Sequence, residues 1–259
     1  MPVRTELLRD LQGLSENTKR SNAPYGHLFC NETLVDLAVP QIEAQRKKMP
    51  KGVGLVIGSG GIMSLLPSLD LDGVIMVDIN PAVLAFGEHV GQAIRTSDTP
   101  SQAEQVIFEA DDPEKSFASQ MYVTDRGLYM QHLYKYPFTD EYRNFGTYHW
   151  RNTARFEAVK TAVEETPIVF VQAYVTSPAF LLNLTRALYR FGQPLSYVNF
   201  SNLSTWRNGD MDFIDNLPIE RRTTIQFATF EDTTVEQKCP RVHVTDSVSE
   251  YKQRVRRTD

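Results

Sequence analysis

Val53-Gly54-Leu55-Val56-Ile57-Gly58-Ser59-Gly60-Gly61 is the stretch that decides the fold. Five apolar or small residues without a polar interruption describe a short strand buried on both faces, as in a parallel sheet. The glycines that follow read as the turn from that strand into a helix. Glycine permits positive φ and carries no Cβ to hold a ligand away from the backbone. The free N–H groups where the next helix begins can then meet an anionic group. A second apolar run, residues 73–78, ends in Asp78, 20 residues after Gly58. An acid at about that spacing, on the tip of the second strand, meets ribose hydroxyls in nucleotide-binding α/β folds. The dinucleotide pattern G-x-G-x-x-G/A is incomplete, because Met63 holds its third position, and no P-loop Lys-Ser/Thr is present.

Outward from this unit the chain keeps alternating strand and helix. Towards the N-terminus, residues 4–14 place Leu7, Leu8, Leu11 and Leu14 at helical spacing. Residues 31–46 predict a second helix with Leu34, Leu37, Ala38 and Ile42 inward. Helices are expected over 62–69, 81–94, 152–165 and 178–191, and strands over 168–175, 195–201, 223–230 and 241–244. The last two strands are read as an antiparallel edge. Residues 96–150 break the rhythm and are too long for a structureless connection, so they read as an insertion or lid with short helices of its own. The expected architecture is a Rossmann-like α/β fold with a mostly parallel central sheet flanked by helices. Residues 1–50 form an N-terminal helical segment, and residues 51–259 form the ligand-binding domain carrying the insertion.

Composition narrows the partners. A net charge of −5 lacks the basic excess of a general nucleic-acid binder. The one clear basic cluster, Lys252 to Arg257, reads as a solvated last helix turn or tail. No apolar run approaches the ~20 residues of a membrane span. Cys30 and Cys239 fit no metal-ligand spacing and read as two free thiols in a reducing compartment. The expectation is a cytoplasmic protein, in its own cell or in one into which it is delivered.

The two motifs Val56-Ile57-Gly58-Ser59-Gly60-Gly61 and Val77-Asp78-Ile79-Asn80-Pro81 resemble the first two motifs of class I S-adenosylmethionine-dependent methyltransferases. The resemblance implies that Gly58, Ser59, Gly60 and Gly61 approach the methionine part of that cofactor. It places Asp78 on the ribose and Ile79 and Asn80 beside the adenosine. It also implies that the third strand ends near the adenine, at Gln172, Ala173 and Tyr174. The fourth would end at the reaction centre, at Asn199, Phe200, Ser201 and Asn202. The Asp/Asn-Pro-Pro-aromatic motif of enzymes that methylate nucleobase or glutamine amino groups is missing there. An N-terminal loop bearing Tyr25 and His27 is expected to fold over the cofactor. A narrower resemblance joins Ser59-Gly60-Gly61, Asp78-Ile79-Asn80-Pro81-Ala82 and Ser201-Asn202-Leu203-Ser204-Thr205-Trp206. It is to the 3-amino-3-carboxypropyl transferases of betaine-lipid synthesis, which use the same cofactor differently.

The acceptor side is expected in the insertion. Tyr142 to Arg151 is dense in aromatic and basic groups, which suits a lid over a small molecule. His149 is a candidate general base, since its unperturbed pKa lies near neutrality. Tyr148, Arg151 and Arg155 are candidates to hold a carboxylate, and His149, Tyr148 and Asn202 form the candidate catalytic set. Three readings stay open: methyl transfer to a small-molecule or protein acceptor, aminocarboxypropyl transfer, and a non-catalytic binding protein that retains the fold.

Overall fold

The computed structural model describes residues 5–15, 35–58, 62–108, 153–200, 212–229 and 241–256. Its centre is a six-stranded sheet in the order β3-β2-β1-β4-β5-β6. The strands are β1 (Val53–Ile57), β2 (Gly73–Asp78), β3 (Ile168–Gln172), β4 (Leu195–Asn199), β5 (Ile219–Thr229) and β6 (Arg241–Thr245). The first five run parallel, and only β6 is antiparallel, paired with β5. This is an α/β, Rossmann-like arrangement. From β1 the chain moves outward through β2 and β3, then crosses back to lay β4 on the other side of β1. The carboxyl ends of β1 and β4 therefore flank the switch in strand order, where open α/β sheets bind ligands.

The unbroken apolar strands follow from burial on both faces. Val74 and Met76 of β2 look into one core layer, while Ile75 and Val77 look into the other, and all four are at most 1% exposed. The first layer is covered by α2 (Val35–Arg46), α3 (Ile62–Leu69), α4 (Pro81–Thr96), α5 (Pro100–Phe108) and α6 (Thr153–Glu165). The second is covered by α1 (Thr5–Gln12), α7 (Pro178–Phe191), a short 3-10 helix (Asp212–Asn216) and α8 (Val248–Arg256). Among the described residues no helix is long and apolar enough to cross a membrane.

Several boundaries differ from those the sequence predicts. The third strand stops at Gln172 rather than running to residue 175. β2 ends at Asp78, so the Ala173 N–H to the Asp78 carbonyl is the ladder's last bond, and the Ser177 N–H bonds the Tyr174 carbonyl in the turn before Pro178 opens α7. The fourth strand ends at Asn199, two residues early. The fifth begins at Ile219 and is parallel to β4, so the antiparallel edge is β6 alone. Residues 100–108 of the expected insertion form α5, packed on α4; residues 109–152 lie outside the described residues. Residues 252–256 of the basic cluster near the C-terminus belong to α8, whose Tyr251 is fully buried against Phe200 and Phe227.

Arg46, at the end of α2, ties the amino edge of the sheet together. Its guanidinium donates to the Leu69 carbonyl at 2.8 Å, to the Ser196 carbonyl at 3.1 Å and to the Pro50 carbonyl at 3.1 Å. Those carbonyls belong to the approach to β2, the start of β4 and the approach to β1. Burial lowers the guanidinium's pKa from its ordinary value, and Asp70 and Asp72 act in the opposite sense.

Candidate functional site at the carboxyl edge

β1 ends where Gly58 takes φ +81°, a conformation that costs a residue with a Cβ about 1–2 kcal/mol. Its N–H is held by the Val77 carbonyl at 3.0 Å, which locks the turn to the end of β2. A Cβ built at Gly58 would meet nothing within 4 Å. The glycine is thus required by its backbone angle and opens onto free space, as a close approach by a ligand needs.

Asp78 stands one strand over, half-buried at the tip of β2. Its Oδ1 accepts the Asn80 N–H at 2.7 Å, which turns the chain into α4 and orients the carboxylate. The Val83 N–H bonds the Asn80 carbonyl in the same turn. Gln172, paired with Asp78 in the β2–β3 register, donates from Nε2 to the Ile79 carbonyl at 3.3 Å. The loop after β2 is therefore clasped from β3 by the Gln172 side chain and by the Ala173 N–H. Ala173 is buried, whereas Tyr174 is 36% exposed beyond it. Gly58, Asp78, Ile79, Asn80, Gln172, Ala173 and Tyr174 are thus gathered on three adjacent strand ends, spaced ~4.8 Å from strand to strand.

Met63 shows why the dinucleotide pattern stops short here. It is fully buried, and its methyl group sits 3.3 Å from where a Cβ on Gly91 of α4 would stand. A core side chain fills the place where that pattern keeps a glycine for close helix packing.

Other expected site residues lie outside the described residues: Tyr25, His27, Ser59, Gly60, Gly61, Tyr148, His149, Arg151, Ser201, Asn202 and Trp206. The motif that carries the narrower, aminocarboxypropyl-transferase resemblance falls largely among them. On the fourth and fifth strands the structure joins Asn199, expected near the reaction centre, to Tyr197 and Gln226, which the sequence did not single out. Asn199, at the end of β4, lies beside Val56 on one side and Gln226 on the other. The Tyr197 hydroxyl donates to Gln226 Oε1 at 2.7 Å. Tyr197, Asn199 and Gln226 are 0%, 7% and 1% exposed, a buried polar group on one face of the sheet just below its carboxyl edge. Their signal in the sequence is polar groups two apart, Tyr197 with Asn199 and Thr224 with Gln226, at paired positions of two strands.

Neither protein-family models nor curated proteins give a match to this chain. Among solved structures it is similar to the rRNA methyltransferase aviRa from Streptomyces viridochromogenes, in structures at 2.4 Å and 1.5 Å. The identities are 15% and 16%, over 86% and 87% of this chain and 82% of that one, each with a TM-score of 0.39. Likeness at that level names neither a substrate nor a cofactor.

Proposed function

We propose that this chain is an S-adenosylmethionine-dependent transferase, and within that class a methyltransferase acting on a small molecule or a protein. The observation that supports this reading best is the pairing of Gly58 with Asp78. A positive-φ glycine opening onto free space stands at the tip of β1, hydrogen-bonded to the strand that presents an oriented carboxylate. Both lie at the switch end of a parallel sheet.

In this reading Gly58 and the turn after it admit the methionine end of the cofactor. Asp78 accepts from the ribose hydroxyls, and Ile79 and Asn80 flank the adenosine. Gln172 holds the Ile79 backbone in place, and Tyr174, exposed at the end of β3, offers an aromatic face to the adenine. The cofactor supplies an activated sulfonium electrophile. What the protein does is align an acceptor in line with it, exclude water and take up a proton where the acceptor must lose one. Asn202, Tyr148 and His149 are the proposed groups for that side of the reaction.

Titration calorimetry tests the proposal. S-adenosylmethionine is expected to bind, and no heat at millimolar cofactor would refute it. Product analysis then identifies the transferred group: S-adenosylhomocysteine accompanies methyl transfer, and methylthioadenosine accompanies aminocarboxypropyl transfer.

A further inference from the structure

Arg155 stands in the first turn of α6, and its Nε is sealed from solvent with no hydrogen-bond partner. Two other arginines among the described residues are satisfied. Arg46 reaches three carbonyls, and Arg95 donates to the Val163 carbonyl at 3.1 Å. Among the described residues the ion pairs use Lys51, Lys160, Arg190, Lys252 and Arg254, and Arg155 takes part in none. A cation whose donor is taken out of water without a partner is costly to hold, so such a group in a folded chain points to a ligand that completes it.

The packing of α6 indicates which ligand. Val163, near its C-terminal end, meets Arg95 near the end of α4, and Lys160 donates to the Ser97 carbonyl just beyond. Because α4 leaves the carboxyl end of β2 and α6 leads into the amino end of β3, both helices begin towards the carboxyl edge. Arg155 lies eight residues before Val163, about 12 Å nearer that edge along the helix axis. Long side chains on a helix lean further towards its N-terminus. α6 also packs on α3, the helix that follows the glycine turn. Arginine is the side chain best matched to a carboxylate, which it can engage with two parallel hydrogen bonds.

We propose that Arg155 binds the carboxylate at the amino-acid end of S-adenosylmethionine, the one anionic group that cofactor carries. The assignment rests on the reading of the site as an S-adenosylmethionine site. It makes Arg155 a binding residue, acting from a helix outside the two motifs that the sequence presents for the cofactor.

The test compares two probes, S-adenosylmethionine and 5′-methylthioadenosine, which lacks the aminocarboxypropyl arm and its carboxylate. Calorimetric affinities for both are measured with the wild-type chain and with Arg155→Met, whose fold is checked by thermal melting. The expected result is an affinity for S-adenosylmethionine about 10- to 100-fold weaker in the variant, with methylthioadenosine unchanged. Equal losses for the two probes would assign Arg155 a structural role and overturn the proposal, as would no change in either. Should Arg155→Met fail to fold, Arg155→Lys is read the same way, since a single ammonium cannot reproduce the bidentate contact. If the wild type binds neither probe, the cofactor reading itself falls; if it binds both and the variant does not discriminate, only the Arg155 assignment falls.

Discussion

Asp78 and Arg46 sit at opposite edges of the same sheet and show two uses of a charged side chain. Asp78 is half-buried at the carboxyl edge, its Oδ1 engaged by a backbone N–H and its carboxylate presented where a ligand would lie. Asp78→Ala is expected to weaken S-adenosylmethionine binding by about 1–3 kcal/mol, and to lower stability by about 1 kcal/mol through the lost Asn80 N–H bond. Calorimetry alongside a melting curve checks it, and an unaltered affinity would remove Asp78 from the site. Arg46, 5% exposed, has its donors spent on the carbonyls of Leu69, Ser196 and Pro50. Arg46→Met leaves buried acceptors without donors, and a loss of about 3 kcal/mol in urea unfolding is expected, with cofactor affinity retained. Of these two residues only Asp78 was legible in the sequence. It ends an apolar run at a spacing with a known chemical use. Arg46 is one more arginine at a helix end until the fold brings residues 50, 69 and 196 around it.

At the scale of elements, α8 depends on a charge at its start. The Thr245 hydroxyl donates to Glu250 Oε2 at 2.6 Å, and Arg254, one turn on, donates to Oε1 at 3.0 Å. The Thr245 hydrogen bond is the main cause that holds the Glu250 carboxyl below its ordinary pKa, with Arg254 helping and partial burial opposing. Because the folded pKa lies below the unfolded one, the contribution is present above the unfolded value, about 4.3, and is lost as pH falls through the folded value. Glu250→Gln is therefore expected to unfold more readily than the wild type at pH 7, with the gap closing at pH 3. Denaturation midpoints at the two pH values measure this, and a gap that persists at pH 3 would refute it. Element boundaries were legible where punctuation is strong, as in α7, where Ser177 caps the first turn and Gly192 at φ +61° ends the helix. They were not legible where a strand ends because its neighbour in the sheet ends. β3 is the example: its apolar run continues to Val175, but β2 stops at Asp78, whose carbonyl takes the ladder's last N–H, from Ala173.

Across the whole molecule, segments far apart in sequence share one core. Leu7 and Leu11 of α1 are at most 1% exposed and belong to the same layer as Phe180 of α7 and Tyr251 of α8. Leu7→Ala is expected to destabilise the chain by about 2–5 kcal/mol, although it lies far from the candidate site in sequence. Coincident fluorescence and circular-dichroism transitions in urea, both shifted by this change, would show that α1 unfolds with the sheet; separate transitions would show that it does not. The fold class was legible because apolar strands alternating with amphipathic helices leave few arrangements open. The strand order was not, since nothing in residues 195–199 says that they pass to the far side of β1. The candidate site was legible on β1, β2 and β3, where the motifs sit, and much less so on β4 and β5. There, Gln226 acquires meaning only through its register with Asn199.

The strands held at their starts by Arg46 are β1, β2 and β4, and their far ends bear Gly58, Asp78 and Asn199. Anchor and mouth are thus separated by about the length of a five-residue strand, on the order of 17 Å. The residues that keep the sheet assembled differ from those proposed to read a ligand. A lineage carrying this architecture can replace the groups at the mouth one by one, and so change what it recognises, without loosening the frame that positions them.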